Sequence, residues 1–323
     1  MTASLPPELR EALERRAAGQ PGAGLRASAS LISRHYRARG RSADVVGEGG
    51  EALAYALSRM PATYAAVGTV LDELAARAPD FAPETLLDAG TGPGTAAWAA
   101  EREFPSLRRG RLRDTNPAFL ALASAVGEET SRLEIVAERA DLRVGAETPA
   151  DLVTCAYALT ELAESDVPRT AEALWTATAG ALVLVEPGRP QDYERLMAAR
   201  TRLVALGAQL LAPCPHDRPC PLTPPDWCHF AVRLPRLRRH MHLKGGTLGY
   251  EDEKFSYLVA ARPGIGTAAP GRVIRSPLVA KPAVTLSICA QAGLQTRVVP
   301  NRAREAFRMA RKAAWGDPIS GAG

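Results

Sequence analysis

The sequence predicts an α/β protein: a mostly parallel sheet covered by helices on both faces, with a helical N-terminal extension and a basic, β-rich C-terminal module. Three observations predict it. Between residues 84 and 188, apolar runs of strand length alternate with helix-length segments, the pattern of a parallel sheet. Before residue 80, apolar residues recur at three- and four-residue spacing. After residue 212, prolines, cysteines and basic residues concentrate. The expected division is therefore 1–80 (helical), 81–212 (Rossmann-like core) and 213–323 (cysteine loop, remaining core strands and basic module).

Composition fits this picture. The chain has 323 residues, 46% apolar and 23% charged, enough for about two domains with a real core. Disorder throughout is excluded. The 26 prolines and 27 glycines follow no collagen period. No apolar run approaches the roughly 18 residues of a membrane span, and the polar start, Met1 to Ala12, has no secretory core. The expectation is a cytoplasmic protein without a membrane partner.

Each element follows in order. Leu5-Pro6-Pro7-Glu8-Leu9 opens a first helix, Gly47–Gly50 reads as a flexible joint, and Glu51–Met60 and Thr63–Ala76 read as two helices broken at Pro61. Thr85–Ala89 is a strand ending in glycines, and Ala96–Glu103 a helix. Leu107–Asp114 is the second strand, followed by a helix through Phe119 and Ala125. Leu133–Val136, Ala150–Ala156 and Ala181–Val185 are further strands, with a helix near Arg169–Thr178. Gln191–Leu211 reads as one long amphipathic helix. Phe255–Ala260 is a strand, Arg272–Val299 is β-rich, and Arg302–Ala314 is a basic helix.

The richest motif is Asp88-Ala89-Gly90-Thr91-Gly92-Pro93-Gly94, where the first strand meets its helix. Glycines there permit a tight turn and let a ligand approach the backbone. Asp88 suits an amino acid's ammonium, and Asp114, ending the second strand, stands where a ribose-diol acceptor belongs. The pattern resembles the class I S-adenosylmethionine methyltransferases. That resemblance implies Gly90, Gly92 and Gly94 around the methionine part, Asp114 on the ribose and Asp141 near the adenine.

Methyl transfer needs a nucleophile aligned with the sulfonium. The segment after the fourth strand, Thr154-Cys155-Ala156-Tyr157-Ala158-Leu159-Thr160-Glu161, lacks the Asn/Asp-Pro-Pro-aromatic motif of base amino-group methylation. Cys155 reads better as a small buried residue than as an attacking thiolate. No catalytic residue is assigned, and the pattern supports holding the donor better than using it.

Three of five cysteines, Cys214, Cys220 and Cys228, lie in one proline-stiffened loop. Such crowding in a scarce residue points to metal. A fourth ligand could be Cys289, His216, His229, His240 or His242. Structural zinc and a [4Fe-4S] cluster both remain open on spacing alone.

Charge is uneven. From Ala231 to Gly323 there are 16 Lys and Arg against 5 Asp and Glu, while the preceding residues carry a small acidic excess. Arg233, Arg236, Arg238, Arg239, His240, His242 and Lys244 follow the cysteine loop; Arg302, Arg304, Arg308, Arg311 and Lys312 lie on or near the last helix. Such a surface suits a polyanion, with phosphate contacts that depend steeply on salt. Trp227, Phe230, Tyr250 and Trp315 could stack on unpaired bases.

Trp227-Cys228-His229-Phe230, Lys244-Gly245-Gly246, Tyr250–Tyr257 (YEDEKFSY), Ala310–Asp317 and Arg59-Met60-Pro61-Ala62-Thr63-Tyr64 together resemble the methyltransferase-like assembly factors of the small ribosomal subunit, a family with mitochondrial and bacterial members. The resemblance implies a [4Fe-4S] cluster on Cys214, Cys220, Cys228 and Cys289, and association with the small subunit through its ribosomal RNA by a protein that is monomeric off the ribosome. It implies either an rRNA methyltransferase or a non-catalytic assembly factor on a vestigial methyltransferase fold. Four protein thiolates leave no iron open to S-adenosylmethionine, which sets aside radical chemistry.

Overall fold

The computed structural model describes residues 4–37, 42–236 and 248–319. Two sheets organise them. The first holds β1 (Thr85–Ala89), β2 (Arg109–Asp114), β3 (Glu134–Arg139), β4 (Ala150–Ala156), β5 (Thr178–Pro187), β6 (Gln209–Ala212), β7 (Phe230–Pro235) and β8 (Tyr250–Ala261). Its order is β3-β2-β1-β4-β5-β8-β6, with β7 also on β8. Strands β1 to β5 pair in parallel, and β8 runs antiparallel between β5 and β6. This is the strand order of the class I methyltransferase sheet that the glycine loop leads one to expect. The order reverses beside β1, where β2 and β4 diverge, so the ends of β1 and β4 frame a crevice for a ligand.

Alternation along the strands explains the two covered faces. Leu86, Leu152, Ala181, Val183 and Val185 face a core shared with α3 (Gly49–Arg77), α4 (Thr95–Glu103) and α5 (Pro117–Thr130). Leu87, Val153, Cys155, Leu182 and Leu184 face a second core shared with α6 (Val167–Thr176) and α7 (Pro190–Ala205). The N-terminal helices α1 (Pro7–Ala18) and α2 (Gly22–Arg37) extend the first core through Leu9, Leu13, Leu25 and Ile32.

Three local expectations are corrected. Pro61 does not break a helix: α3 runs 29 residues through it. Proline in a helix interior costs about 3 kcal/mol, and the stripe Leu53, Met60, Val67, Leu71 and Leu74, all buried on both sides of Pro61, outweighs it. Gly47–Gly50 is a helix start rather than a loose joint, because Glu48 and Glu51 form a reciprocal capping box. The long helix predicted over 191–211 ends at Ala205, and Gln209–Ala212 becomes an edge strand on β8. An apolar run of that length cannot distinguish helix from strand.

The second sheet contains β9 (Gly271–Val273), β10 (Leu278–Val279), β11 (Ala283–Ala290), β12 (Gly293–Pro300) and β13 (Pro318–Ile319), in the order β10-β11-β9-β13 with β12 also on β11. Val284, Leu286 and Ile288 of β11 and Val299 of β12 pack with Phe307 and Ala310 of α8 (Arg304–Lys312). The alternate residues, Cys289 among them, face the other way. Among the described residues no helix is long and apolar enough to cross a membrane.

Candidate functional site

The first site forms where β1, β2 and β4 end. Gly90 and Gly94 are required by space as well as by backbone. Gly90 has φ +71° and a Cβ there would lie 2.6 Å from that of Ala158; Gly94 has φ +85° and a Cβ would meet the Trp98 ring at 2.5 Å. The loop is tied to β2: Gly90 N–H and Thr91 N–H both donate to the Arg113 carbonyl, at 2.8 and 3.0 Å. Asp88, Gly90, Gly92, Asp114 and Asp141 all line one cavity of about 250 Å³. Gly94 stands behind it, as the N-cap of α4.

The three acids differ in what holds them. Asp88 is buried, and its two oxygens accept from Thr91 Oγ1 (2.6 Å) and Thr154 Oγ1 (2.8 Å). Burial pushes its carboxyl up to about 6, against those hydrogen bonds. Asp114 accepts from Gly92 N–H and Asn116 N–H, each at 2.8 Å; burial raises it and these amides oppose the rise. Asp141 is forked by Arg143, at 2.7 and 3.0 Å. Each carboxylate oxygen has a second lone pair, so Asp114 retains capacity for an incoming hydroxyl.

A second group around this cavity was not assigned from sequence. Tyr157 follows β4 with φ +58°, an uncommon backbone for an aromatic residue. Its N–H donates to the Val185 carbonyl (2.7 Å) and its hydroxyl to Glu253 (2.9 Å). Glu161 accepts from Ser42 N–H (3.1 Å), Ser42 Oγ (3.0 Å) and Tyr36 Oη (3.2 Å). Arg59 lies over the Tyr36 ring at 5.3 Å. Ser42, Tyr55, Tyr157 and Glu161 line the cavity with the glycine loop. The usable signal was position: Tyr157 and Glu161 come just after the fourth strand, at the open side of the crevice. Cys155 faces the α6–α7 core, fully buried, and burial pushes its thiol well above the ordinary range.

The second site joins the two sheets. Cys214, Cys220 and Cys228 lie in the loop between β6 and β7, and Cys289 lies on β11; all four line one small, mostly apolar cavity. Tyr193 Oη and Cys220 Sγ are 3.0 Å apart, and Cys289 Sγ and His216 Nε2 are 4.0 Å apart. Burial raises the thiols of Cys214, Cys228 and Cys289, the last to about 12. Of the candidate histidines, His216 borders the thiols. His229 is taken up in an aromatic stack, 4.7 Å from the Trp227 ring and 4.6 Å from that of Trp315. His240 and His242 lie outside the described residues, as do Arg238, Arg239, Lys244, Gly245 and Gly246. Among the described residues no three His, Cys, Asp or Glu side chains are drawn together tightly enough to hold a metal ion.

The basic surface divides. Arg233 is forked onto Asp252 (2.7 and 2.8 Å) and stacks on Tyr250, and Arg236 pairs with Glu251 at 3.0 Å. These two are engaged within the fold. Arg302, Arg304, Arg308, Arg311 and Lys312 are exposed, and none forms an ion pair among the described residues. Of the candidate stacking aromatics, Phe230 is buried against Phe255 and Tyr257, and Trp227 donates its indole N–H to the Gly188 carbonyl. Tyr250 and Trp315 are exposed.

Residues 50–320 match the family model of the mitochondrial small ribosomal subunit protein Rsm22. The chain belongs to this family. It is 32% identical over 289 residues to the human mitochondrial ribosome assembly protein METTL17, a match covering 83% of this chain and 62% of that one. It is 26% identical over 331 residues to the mitochondrial Rsm22-cox11 tandem protein 2 of Schizosaccharomyces pombe, covering 84% and 43%. The chain thus spans less than two thirds of these relatives. Among solved structures, magnesium protoporphyrin IX methyltransferase from Synechocystis with bound SAM is similar at TM-score 0.42 and 14% identity, covering 67% of this chain and 85% of that one. Precorrin-6y C5,15-methyltransferase from Geobacter metallireducens is similar at 0.40 and 13%, covering 60% and 87%.

These matches correct the cytoplasmic assignment: the Rsm22 family and both relatives are mitochondrial. Composition separates secreted from unsecreted chains through the apolar signal core. A mitochondrial address is amphipathic and Arg-rich rather than apolar, so the lack of a secretory core does not distinguish cytosol from mitochondrion.

Proposed function

We propose that this Rsm22-family chain is a small-subunit ribosome assembly factor. In this reading its methyltransferase fold holds S-adenosylmethionine, and a [4Fe-4S] cluster on Cys214, Cys220, Cys228 and Cys289 fastens its basic C-terminal module. The observation that carries the reading is the convergence of four thiols on one cavity, three from a single loop and one 61 residues further on. The chemistry of four thiolates suits a four-iron cluster and also a zinc ion, and the family resemblance favours the cluster. The unpaired basic residues of and beside α8 stand on the module so fastened, and they suit small-subunit rRNA. The human relative's name, a ribosome assembly protein, agrees with this reading.

The residues of the first cavity fit the methyl donor. Asp114 offers a free lone pair to a diol, Gly90 and Gly92 leave the backbone open, and Asp88 and Asp141 provide negative charge at two further points of the wall. S-adenosylmethionine, when bound, supplies an electrophilic methyl group. The chain's part is to hold and orient it and to limit water; Tyr157 and Glu161 border the space an acceptor would enter. No side chain there is placed as a nucleophile, so an acceptor base of the RNA would itself have to attack.

Protein purified without oxygen is expected to show the broad visible absorption of an iron–sulfur cluster, with about four iron and four sulfide per chain. It should bind small-subunit rRNA as a monomer with steep salt dependence. Colourless protein free of iron and sulfide would refute the cluster. Transfer of labelled methyl from S-adenosylmethionine into immature small subunits separates enzyme from non-catalytic factor.

A further inference from the structure

The cysteine cavity is flanked by more fixed positive charge than its protein partners neutralise. Arg272 is 2% exposed, lines the cavity and lies opposite Cys289 in the β9–β11 register. It donates to the carbonyls of Pro213 (2.9 Å) and Gly316 (2.8 Å) and to Glu73 at 2.5 Å. Glu73 is itself shared with Arg77, at 3.4 Å. Arg200 of α7 is 3% exposed and gives Nη2 to the carbonyls of His216 (2.9 Å) and Arg218 (2.6 Å). It has no carboxylate partner among the described residues, and its buried Nε has no hydrogen bond. The other polar groups at hand, Tyr193, Tyr257 and His216, bring no negative charge of their own. A guanidinium left in the interior without an anion is costly.

We propose that Arg200 and Arg272 form a cationic clamp on the four-thiolate centre, offsetting its negative charge and setting its reduction potential. This rests on the cluster reading above. Four thiolates outweigh the charge of a four-iron core, and also that of a zinc ion, so the centre is anionic. Buried cations beside its sulfurs favour the state with the added electron, which raises the potential. The Tyr193 hydroxyl beside Cys220 acts in the same sense once that sulfur is a thiolate. Two carbonyl bonds on Arg200 and three bonds on Arg272 tie both guanidiniums to groups of the fold itself.

The test compares the whole chain, purified without oxygen, with Arg200→Gln, Arg200→Lys and Arg272→Gln. Circular dichroism reports folding, and iron, zinc and sulfide are counted per chain. A dye-mediated redox titration gives the midpoint potential, and loss of metal to a chelator gives a rate. The glutamine variants should have a lower midpoint and lose metal at least about tenfold faster. Arg200→Lys, which keeps the charge but not the fork, should fall between them and the parent. If the glutamine variants do not fold, Arg200→Lys decides: a lower midpoint and faster metal loss than the parent support the clamp, and parental values overturn it. A loaded parent with unchanged folded glutamine variants overturns the clamp alone. A parent free of iron, sulfide and zinc overturns the cluster reading and the clamp with it. If zinc is found instead of iron, the release rate carries the decision.

Discussion

The glycine-loop cavity and the cysteine cavity are built on opposite principles. At the glycine loop every acid is already satisfied: Asp88 by two threonine hydroxyls, Asp114 by two amides, Asp141 by Arg143. The pocket stands complete by itself and offers spare lone pairs to a ligand. At the cysteine joint the buried Arg200 lacks a carboxylate partner among the described residues, and burial raises the thiols of Cys214 and Cys228. On the proposed reading, the first pocket folds without its ligand at little cost, whereas the second joint requires an anionic centre.

The largest expected effect tests that contrast at the joint. Cys289→Ser removes the proposed ligand that would close a 61-residue loop from Cys228. A crosslink of that span is worth about 4 kcal/mol by chain entropy, so the melting midpoint should fall by roughly 6 °C, with the affinity for small-subunit rRNA falling alongside. Unchanged melting and RNA binding would place the joint in the same class as the glycine loop. Next, Asp114→Ala should weaken S-adenosylmethionine binding by roughly ten- to a hundredfold by calorimetry, the loss of one or two hydrogen bonds to a charged acceptor. Its melting midpoint should move less than that of Cys289→Ser; a larger drop would mean that the loop depends on Asp114 for folding.

A smaller effect lies beyond the joint. The combined Arg304→Ala, Arg308→Ala and Arg311→Ala change should flatten the slope of log affinity against log salt by about 2 for single-stranded rRNA segments. The smallest concerns Glu186, which ends β5 and accepts the amides of Leu159 and Thr160 at 2.9 Å each. Burial pushes its carboxyl up to about 8. A value raised on folding means that the folded state binds the proton more tightly. The stability it contributes is therefore complete below the ordinary carboxylate range and is lost as pH rises through about 8. Denaturant melts of Glu186→Gln should be flatter than the parent's between about pH 5 and pH 8, and an unchanged pH profile would show that Glu186 ionises freely.

Much of the fold was legible because local pattern and tertiary role agree. Ala150–Ala156 was placed to the residue, since a β-branched and apolar run between polar flanks has one reading in a parallel sheet. The errors share a physical cause. Pro61 and Gln209–Ala212 obey long-range burial against their local signals, one through core packing and one through pairing with β8, and neither partner is visible in a window of neighbours. In the site, the glycines and acids were legible because their chemistry is local to a single turn. Tyr36 and Ser42 lie in segments that nothing local marks, and Arg59 and Glu253, though inside the family-like stretches Arg59–Tyr64 and Tyr250–Tyr257, carry no local sign that they meet near this cavity. The division of the arginines was equally hidden: Arg233 and Arg236 found partners in β8, and Arg304 and Arg308 did not.

Helix α3 reaches both cavities. Tyr55 and Thr63 border the glycine loop, and Glu73, near the other end, grips Arg272. At 1.5 Å per residue the stretch from Tyr55 to Glu73 spans about 27 Å. Pro61 sits within that stretch and leaves one rung of the ladder unmade. Any change in how Arg272 holds Glu73 therefore acts on the same helix that walls the glycine-loop cavity.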